Sequence, residues 1–197
     1  MTKRIITISR QFGSGGRQIG DMLSKQLNIP FYDKALCVEA AKHSGIHPDF
    51  FENAEMRKDH FGANAFFDGV TAMPASLDDR MFLAQAHMIH KLAELGPCII
   101  VGRGANRLLE RREDVLNVFI YAKKSSRLKR IIDLYGVAED QAEKLLIETD
   151  KNRAAYLKNY TDQTFGKAEN YHLCIDSSTV GIDNAVKIIL AAYRTLS

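Results

Sequence analysis

Ile5-Ile6-Thr7-Ile8-Ser9-Arg10-Gln11-Phe12-Gly13-Ser14-Gly15-Gly16-Arg17-Gln18-Ile19-Gly20 runs from a β-branched strand through a glycine-rich turn into the start of a helix. That order sets backbone N–H groups at a helix N-terminus, where aligned peptide dipoles and orphan donors favour an anion. Gly13, Gly15 and Gly16 allow the main chain to approach an oxyanion closely. Arg10 and Arg17 flank the turn with guanidinium groups that suit phosphate oxygens. Without a ligand the glycines would merely turn a tight corner, and the two arginines weigh against that plainer reading. A dinucleotide site fits less well. Asp33 lies twenty residues beyond Gly13, where a ribose-binding acid belongs, but the third glycine of G-x-G-x-x-G is Gln18 here.

Outward from this stretch, short apolar runs alternate with helical periodicity. Residues 4–8 read as a buried parallel strand, and Ile19, Leu23 and Leu27 fall on one helix face. Phe31-Tyr32-Asp33 predicts a very short strand, and residues 34–44 a helix that stops at Ser44-Gly45. Residues 46–79 are irregular, with Phe50, Phe51, Phe61, Phe66 and Phe67 among polar neighbours; residues 80–95 return to helical spacing. Cys98-Ile99-Ile100-Val101, Val115 to Ala122 and Tyr171 to Asp176 predict further strands. Helices are expected over about 125–135 and 139–160, broken at Gly136, and over a last segment that carries Ile182, Val186, Ile189 and Tyr193 on one face. The alternation predicts an α/β fold: a three-layer parallel sheet with helices on both faces.

The 197 residues suit one domain, and a hydrophobic share of 46% is enough for a core. A net charge of +3 permits anionic ligands without the basic stripe of a nucleic-acid binder, so no nucleic-acid partner is expected. Cys37, Cys98 and Cys174 are far apart and form no C-x-x-C, which predicts neither zinc site nor disulfide framework. His87 and His90 stand three apart without a third ligand, so no metal ligand is assigned. The basic, strand-like opening does not read as a signal peptide and no apolar run is long enough to span a membrane; a cytoplasmic location and no membrane partner are expected.

Three further motifs carry charge. Gly102-Arg103-Gly104 follows the strand at 98–101, at the carboxyl end where parallel sheets bind ligands. Arg127 with Arg130, and Asp150 with Arg153, are each three apart and share a helix face. Taken singly, each pair is equally a solvated face or a surface ion pair worth a few tenths of a kcal/mol.

Taken together, these residues resemble the cytidylate kinase-like family, a branch of the P-loop nucleoside monophosphate kinases. The resemblance runs through Ile8 to Arg17, Phe31-Tyr32-Asp33, Val101-Gly102-Arg103-Gly104-Ala105, Phe119-Ile120 with Arg127 and Arg130, and Asp150-x-x-Arg153. It implies a single P-loop kinase-like domain over 1–197, with a core of 1–33, 96–122 and 157–197, a substrate-binding insertion at 34–95 and a lid at 123–156. It implies transfer of the γ-phosphoryl of ATP, with Mg²⁺, to a (deoxy)nucleoside monophosphate such as CMP. By it, Arg10, Gly13, Ser14, Gly15, Gly16, Arg17 and Gln18 would hold the ATP phosphates. Arg17, Arg127 and Arg130 would be catalytic, and Asp33, Arg103, Asp150 and Arg153 would bind substrate. Nucleotides are the expected partners, with a homodimer as a further option.

The loop departs from the family's Gly-Ser-Gly-Lys-Ser. Gly16 stands at the lysine position and Arg17 at the serine position, and the acids expected around Gly102-Arg103 are Val101 and Gly104. Those changes remove a charge on the β/γ-phosphates and the hydroxyl ligand of Mg²⁺. Ser9 and Ser14 are the nearest hydroxyls and Asp33 the nearest acid. The departures keep open a second expectation, a catalytically impaired module of the same fold that binds a nucleotide or another phosphorylated ligand.

Overall fold

The computed structural model describes residues 5–33 and 77–195. The elements named here are numbered among those residues. Five strands form one parallel sheet: β1 (Ile5–Arg10), β2 (Phe31–Tyr32), β3 (Cys98–Val101), β4 (Val115–Tyr121) and β5 (Leu173–Asp176), in the order β2-β3-β1-β4-β5. β1 lies at the centre, with Ile8 opposite Val101 on one side and Val118 on the other. The α/β class with helices on both faces is therefore as expected.

Side-chain alternation along each strand divides the core into two layers. Ile5, Cys98, Ile100 and Val115 face Met81, Met88, Ile89 and Ala93 of α2 (Leu77–Leu95), together with Ala105 of the short α3 (Ala105–Leu108) and Leu109 just beyond it. Ile6, Ile8, Ile99, Val101, Val118 and Ile120 face the other way, onto Ile19 and Leu23 of α1 (Gly16–Leu27) and Val186 and Ile189 of α7 (Ile182–Thr195). Within the sheet, the Thr7 hydroxyl donates to Asn117 Oδ1 across the β1–β4 register at 2.6 Å, so the buried threonine hydroxyl is satisfied.

After β4 the chain leaves the sheet as α4 (Lys124–Tyr135), turns at Gly136 (φ +66°), and returns along α5 (Glu139–Thr161). These two helices form a small core of their own from Ile131, Ala142 and Leu146, joined by Phe12 of the loop after β1. The C-terminal half of α5 packs on the main body through a stack of Tyr160 on Phe82. A 3-10 turn (Ala168–Asn170) leads into β5, and α6 (Ser177–Val180) follows it.

Most boundaries match the periodicity to within a residue or two. α2 begins at Leu77 rather than residue 80, and the last strand at Leu173 rather than Tyr171, because Tyr171 closes the 3-10 turn. The helix expected at 34–44, the insertion to residue 76 and its five phenylalanines lie outside the described residues.

Candidate functional site

The carboxyl ends of β1, β3, β4 and β5 converge at one edge of the sheet, and the glycine-rich loop lies there. β1 ends at Arg10 and α1 begins at Gly16, whose N-cap is Gly15 in the left-handed region at φ +83°. No side chain caps this helix, so the first-turn amides keep their capacity to donate to a ligand. Four carbonyls of the loop are taken up by side chains from outside it. Arg153 Nη1 donates to the Arg10 carbonyl at 3.1 Å, Arg127 Nε to that of Phe12 at 2.7 Å, and Arg130 Nη1 to that of Gly13 at 2.6 Å. The Ser177 hydroxyl donates to the Ser14 carbonyl at 2.5 Å. The N–H groups of Gln11, Phe12 and Ser14 bond to the Ile120 carbonyl, Asp150 and the Gln11 carbonyl, so the donors that face an anion are the first-turn amides of α1.

Phe12 is the most tightly gripped residue of the loop. Asp150 Oδ1 accepts from its N–H at 2.7 Å while Arg127 holds its carbonyl, and Arg127 Nη2 and Asp150 Oδ2 pair with each other. Arg127 is only 5% exposed. The Phe12 ring lies 5.7 Å from that of Tyr135, with the Arg153 guanidinium 5.6 Å from its centre. The helix-face pairs Arg127/Arg130 and Asp150/Arg153 thus meet on the loop's main chain.

Beside the loop a narrow cleft is lined by Ser9, Arg10, Gly102, Arg103, Gly104, Arg153, Tyr156, Leu157 and Phe165. Gly102, Arg103 and Gly104 are all left-handed, with φ of +82°, +60° and +67°. For an arginine this conformation costs on the order of 1 kcal/mol, and such outliers gather at ligand sites. Arg10, Arg103 and Arg153 thus bring three cations to one cleft, which suits a phosphate or another multiply charged anion.

Arg17 and Asp33 lie elsewhere. Arg17 Nε donates to Asp33 Oδ2 at 2.7 Å, and the Arg17 side chain is 70% exposed. Gln18 is also exposed on the first turn of α1. Ser14 is fully buried, and its hydroxyl has no partner among the described residues. Asp33 and Asp150, the carboxylates expected here, are both tied to arginines. Among the described residues no group of three or more His, Cys, Asp or Glu side chains could hold a metal ion. The donor set fits phosphate and offers Mg²⁺ no carboxylate cluster. His87 and His90 are both exposed on α2.

The profile of the cytidylate kinase-like family matches residues 5–179. The chain belongs to the cytidylate kinase-like family. A structure of an uncharacterized protein from Eubacterium ventriosum is 27% identical, covers 98% of this chain and 99% of its own, and superposes with a TM-score of 0.76. Shikimate kinase from Bacteroides thetaiotaomicron is 17% identical, with 97% and 98% coverage and a TM-score of 0.56. Shikimate kinase from Acinetobacter baumannii, in complex with shikimate, is 14% identical, with 98% and 94% coverage and a TM-score of 0.53. At that identity the two shikimate kinases show the fold alone, which is P-loop NTPase-like. Comparison with curated proteins gives no match. Among the described residues no helix is long and apolar enough to cross a membrane.

Two contacts of this kinase-like site and the motif position of Arg10, itself expected at the ATP phosphates, escaped the sequence reading. Arg10 stands five residues before Gly15, where G-x-x-x-x-G-K-[ST] has its first glycine; counting the full motif back from Gly15 would have found it. Tyr156 lies three residues beyond Arg153 and shares its helix face. Ser177 reaches the loop from α6 across 163 residues of chain, and no local pattern announces that contact.

Proposed function

We propose that this protein is an ATP-dependent nucleoside monophosphate kinase, with a cytidylate-like (deoxy)nucleoside monophosphate such as CMP as the acceptor. The observation that carries the reading is the loop of residues 10–15, whose carbonyls accept bonds from Arg153, Arg127, Arg130 and Ser177 and which leads through Gly15 into the uncapped first turn of α1, where the amides can meet a phosphate chain. In this reading Gly13 to Gln18 hold the ATP phosphates with the N-terminus of α1. Arg103 and Arg153 hold the acceptor phosphate in the neighbouring cleft. Arg130, bonded to Gly13, is the lid arginine nearest the transferring group, and Arg127 acts with Asp150 by fixing Phe12. Arg17, on the first turn of α1, and Asp33 form an ion pair beside that phosphate seat. Phosphoryl transfer rests almost wholly on positioning and positive charge, which this set of arginines supplies. Mg²⁺ brought in on the ATP phosphates would neutralise charge there. The cytoplasm is the proposed compartment, and nucleotides, with a homodimer as a further option, are the proposed partners.

Gly16 at the lysine position and Arg17 at the hydroxyl position favour a second reading, a module of the same fold that binds nucleotide without transfer. One experiment separates the two: a coupled ADP-release assay with ATP·Mg²⁺ and CMP, dCMP, UMP, AMP, GMP or shikimate, beside calorimetric titration of each. ADP release dependent on one monophosphate supports the kinase. Binding without release supports the module, and release with shikimate alone replaces the nucleotide acceptor. Light scattering on the same samples reports the oligomeric state.

A further inference from the structure

The geometry points to Arg10 as the cation that takes the place of the P-loop lysine, entering the phosphate site from the first position of the loop instead of the seventh. This inference rests on the phosphate-binding reading above and deepens it.

Arg10, Gly16 and Gly102 interlock. A Cβ on Gly16 would sit 2.7 Å from Arg10 Cβ and 3.1 Å from its Cγ. Those atoms stand next to the Arg10 main chain, which Arg153 holds through the carbonyl and which pairs with Ile120 in the sheet. They cannot swing aside as the tip of a flexible side chain could, so Arg10 and a lysine at position 16 exclude each other. At its far end the Arg10 guanidinium crosses the backbone of Gly102, where an added Cβ would land on Nη1. Glycine is thus required at 16 by the stem of Arg10, whereas at 102 the left-handed φ of +82° favours glycine and the guanidinium, at the end of a flexible side chain, lies over it.

The path of that side chain matters for the chemistry. It starts beside the loop, at the first turn of α1, and ends in the cleft that holds Arg103 and Arg153. Its charge therefore lies in the cleft, over Gly102, at the end of a stem that passes the first turn of α1, and in this inference it serves a phosphate chain in the loop as well as the anion in the cleft. Arg17, the nearer candidate by sequence position, is mostly exposed and bonded to Asp33. A planar guanidinium bridging two anion seats has donors for both, which a lysine ammonium on a flexible stem offers with less geometric selectivity.

The test is an exchange of positions, read by urea unfolding and by calorimetric titration with ATP and with inorganic tripolyphosphate. Gly16→Lys is expected to lower the urea midpoint while Arg10 is present, and R10G/G16K to recover it. Arg10→Gly is expected to bind both probes at least tenfold more weakly, and the double variant to return to within a few-fold of wild type. Arg10→Gln keeps the bulk and loses the charge, so a tenfold loss at an unchanged midpoint separates charge from folding. Arg17→Ala is expected to lose less than Arg10→Gln. Wild-type affinity in Arg10→Gln, an undisturbed midpoint in Gly16→Lys, or a double variant that is stable but binds no better than Arg10→Gly each overturns the inference and leaves phosphate binding standing. A wild-type protein that binds neither ATP nor tripolyphosphate overturns that reading as well.

Discussion

Arg103 carries a strain that its neighbours do not. Gly102 and Gly104 adopt left-handed φ at no steric cost, whereas Arg103 at φ +60° brings its Cβ against the following carbonyl. Arg103→Gly relieves that clash but raises the entropy of the unfolded chain, while Arg103→Ala keeps the clash. The glycine variant is therefore expected to be about 0.5–1 kcal/mol more stable than the alanine variant in urea unfolding. With Arg103 on the acceptor phosphate as proposed, both are expected to bind CMP ten- to a hundredfold more weakly, the loss of one charge-assisted contact. Equal stability of the two would mean that the backbone relaxes there at no cost. The presence of an arginine after β3 is plain in the sequence; its left-handed backbone is not, because φ at a non-glycine residue is set by what surrounds it.

At the scale of elements, the loop is held by helices that follow it by more than a hundred residues. Phe12 is fixed by Asp150 from α5, by Arg127 from α4 and by the small core between those helices. Arg127→Ala leaves the Asp150 carboxylate, only 19% exposed, without its cation. The expected cost is about 3 kcal/mol in unfolding free energy, with affinity for ATP falling alongside. An Arg127→Ala/Asp150→Ala double variant is expected to lose less than the sum of the singles, since neither charge is then stranded. Strict additivity would remove the pair as the loop's clamp. α6 supplies a smaller hold. Asp176 accepts from the hydroxyl and N–H of Ser178 and from the hydroxyl of Thr179. The Ser178 hydroxyl is the largest cause that holds its carboxyl below the usual carboxylate range. A depressed pKa stabilises the fold above the unfolded value and ceases to do so as pH falls through the folded one. Asp176→Ala is therefore expected to cost about 1 kcal/mol at neutral pH. That difference should fade below about pH 4, followed by urea unfolding across pH; a difference constant down to pH 2 would assign the effect to packing. The helix-face pairs were legible from their spacing of three, but their target was not. That Arg127 and Asp150 meet on the main chain of Phe12 follows from how α4 and α5 fold back, which no local pattern encodes.

Across the whole molecule, the sheet makes the site by bringing distant ends together. The order β2-β3-β1-β4-β5 puts the phosphate loop after β1 next to Gly102-Arg103-Gly104 after β3, though more than eighty residues separate them. The strand and helix periodicities specified these layers because the three inner strands β1, β3 and β4 are buried on both faces and read as largely apolar runs. They gave no access to the cleft, which depends on Arg10 crossing from one strand end to the next. That crossing has a consequence for ligand linkage. Two seats that shared one cation, as proposed for Arg10, would not be independent: a phosphate chain in the loop would fix the guanidinium for the acceptor, and the acceptor would fix it for the loop. ATP alone at a hundred times its dissociation constant is expected to stabilise the protein by about 2.7 kcal/mol. For a chain of this size that is a rise in Tm of about 5–10 °C. ATP and the monophosphate together are expected to raise Tm by more than the two separate rises summed, and Arg10→Gln to reduce the pair to simple additivity. Additive shifts in the wild-type protein would mean that the loop and the cleft bind their ligands without reference to each other, and would detach Arg10 from one of them.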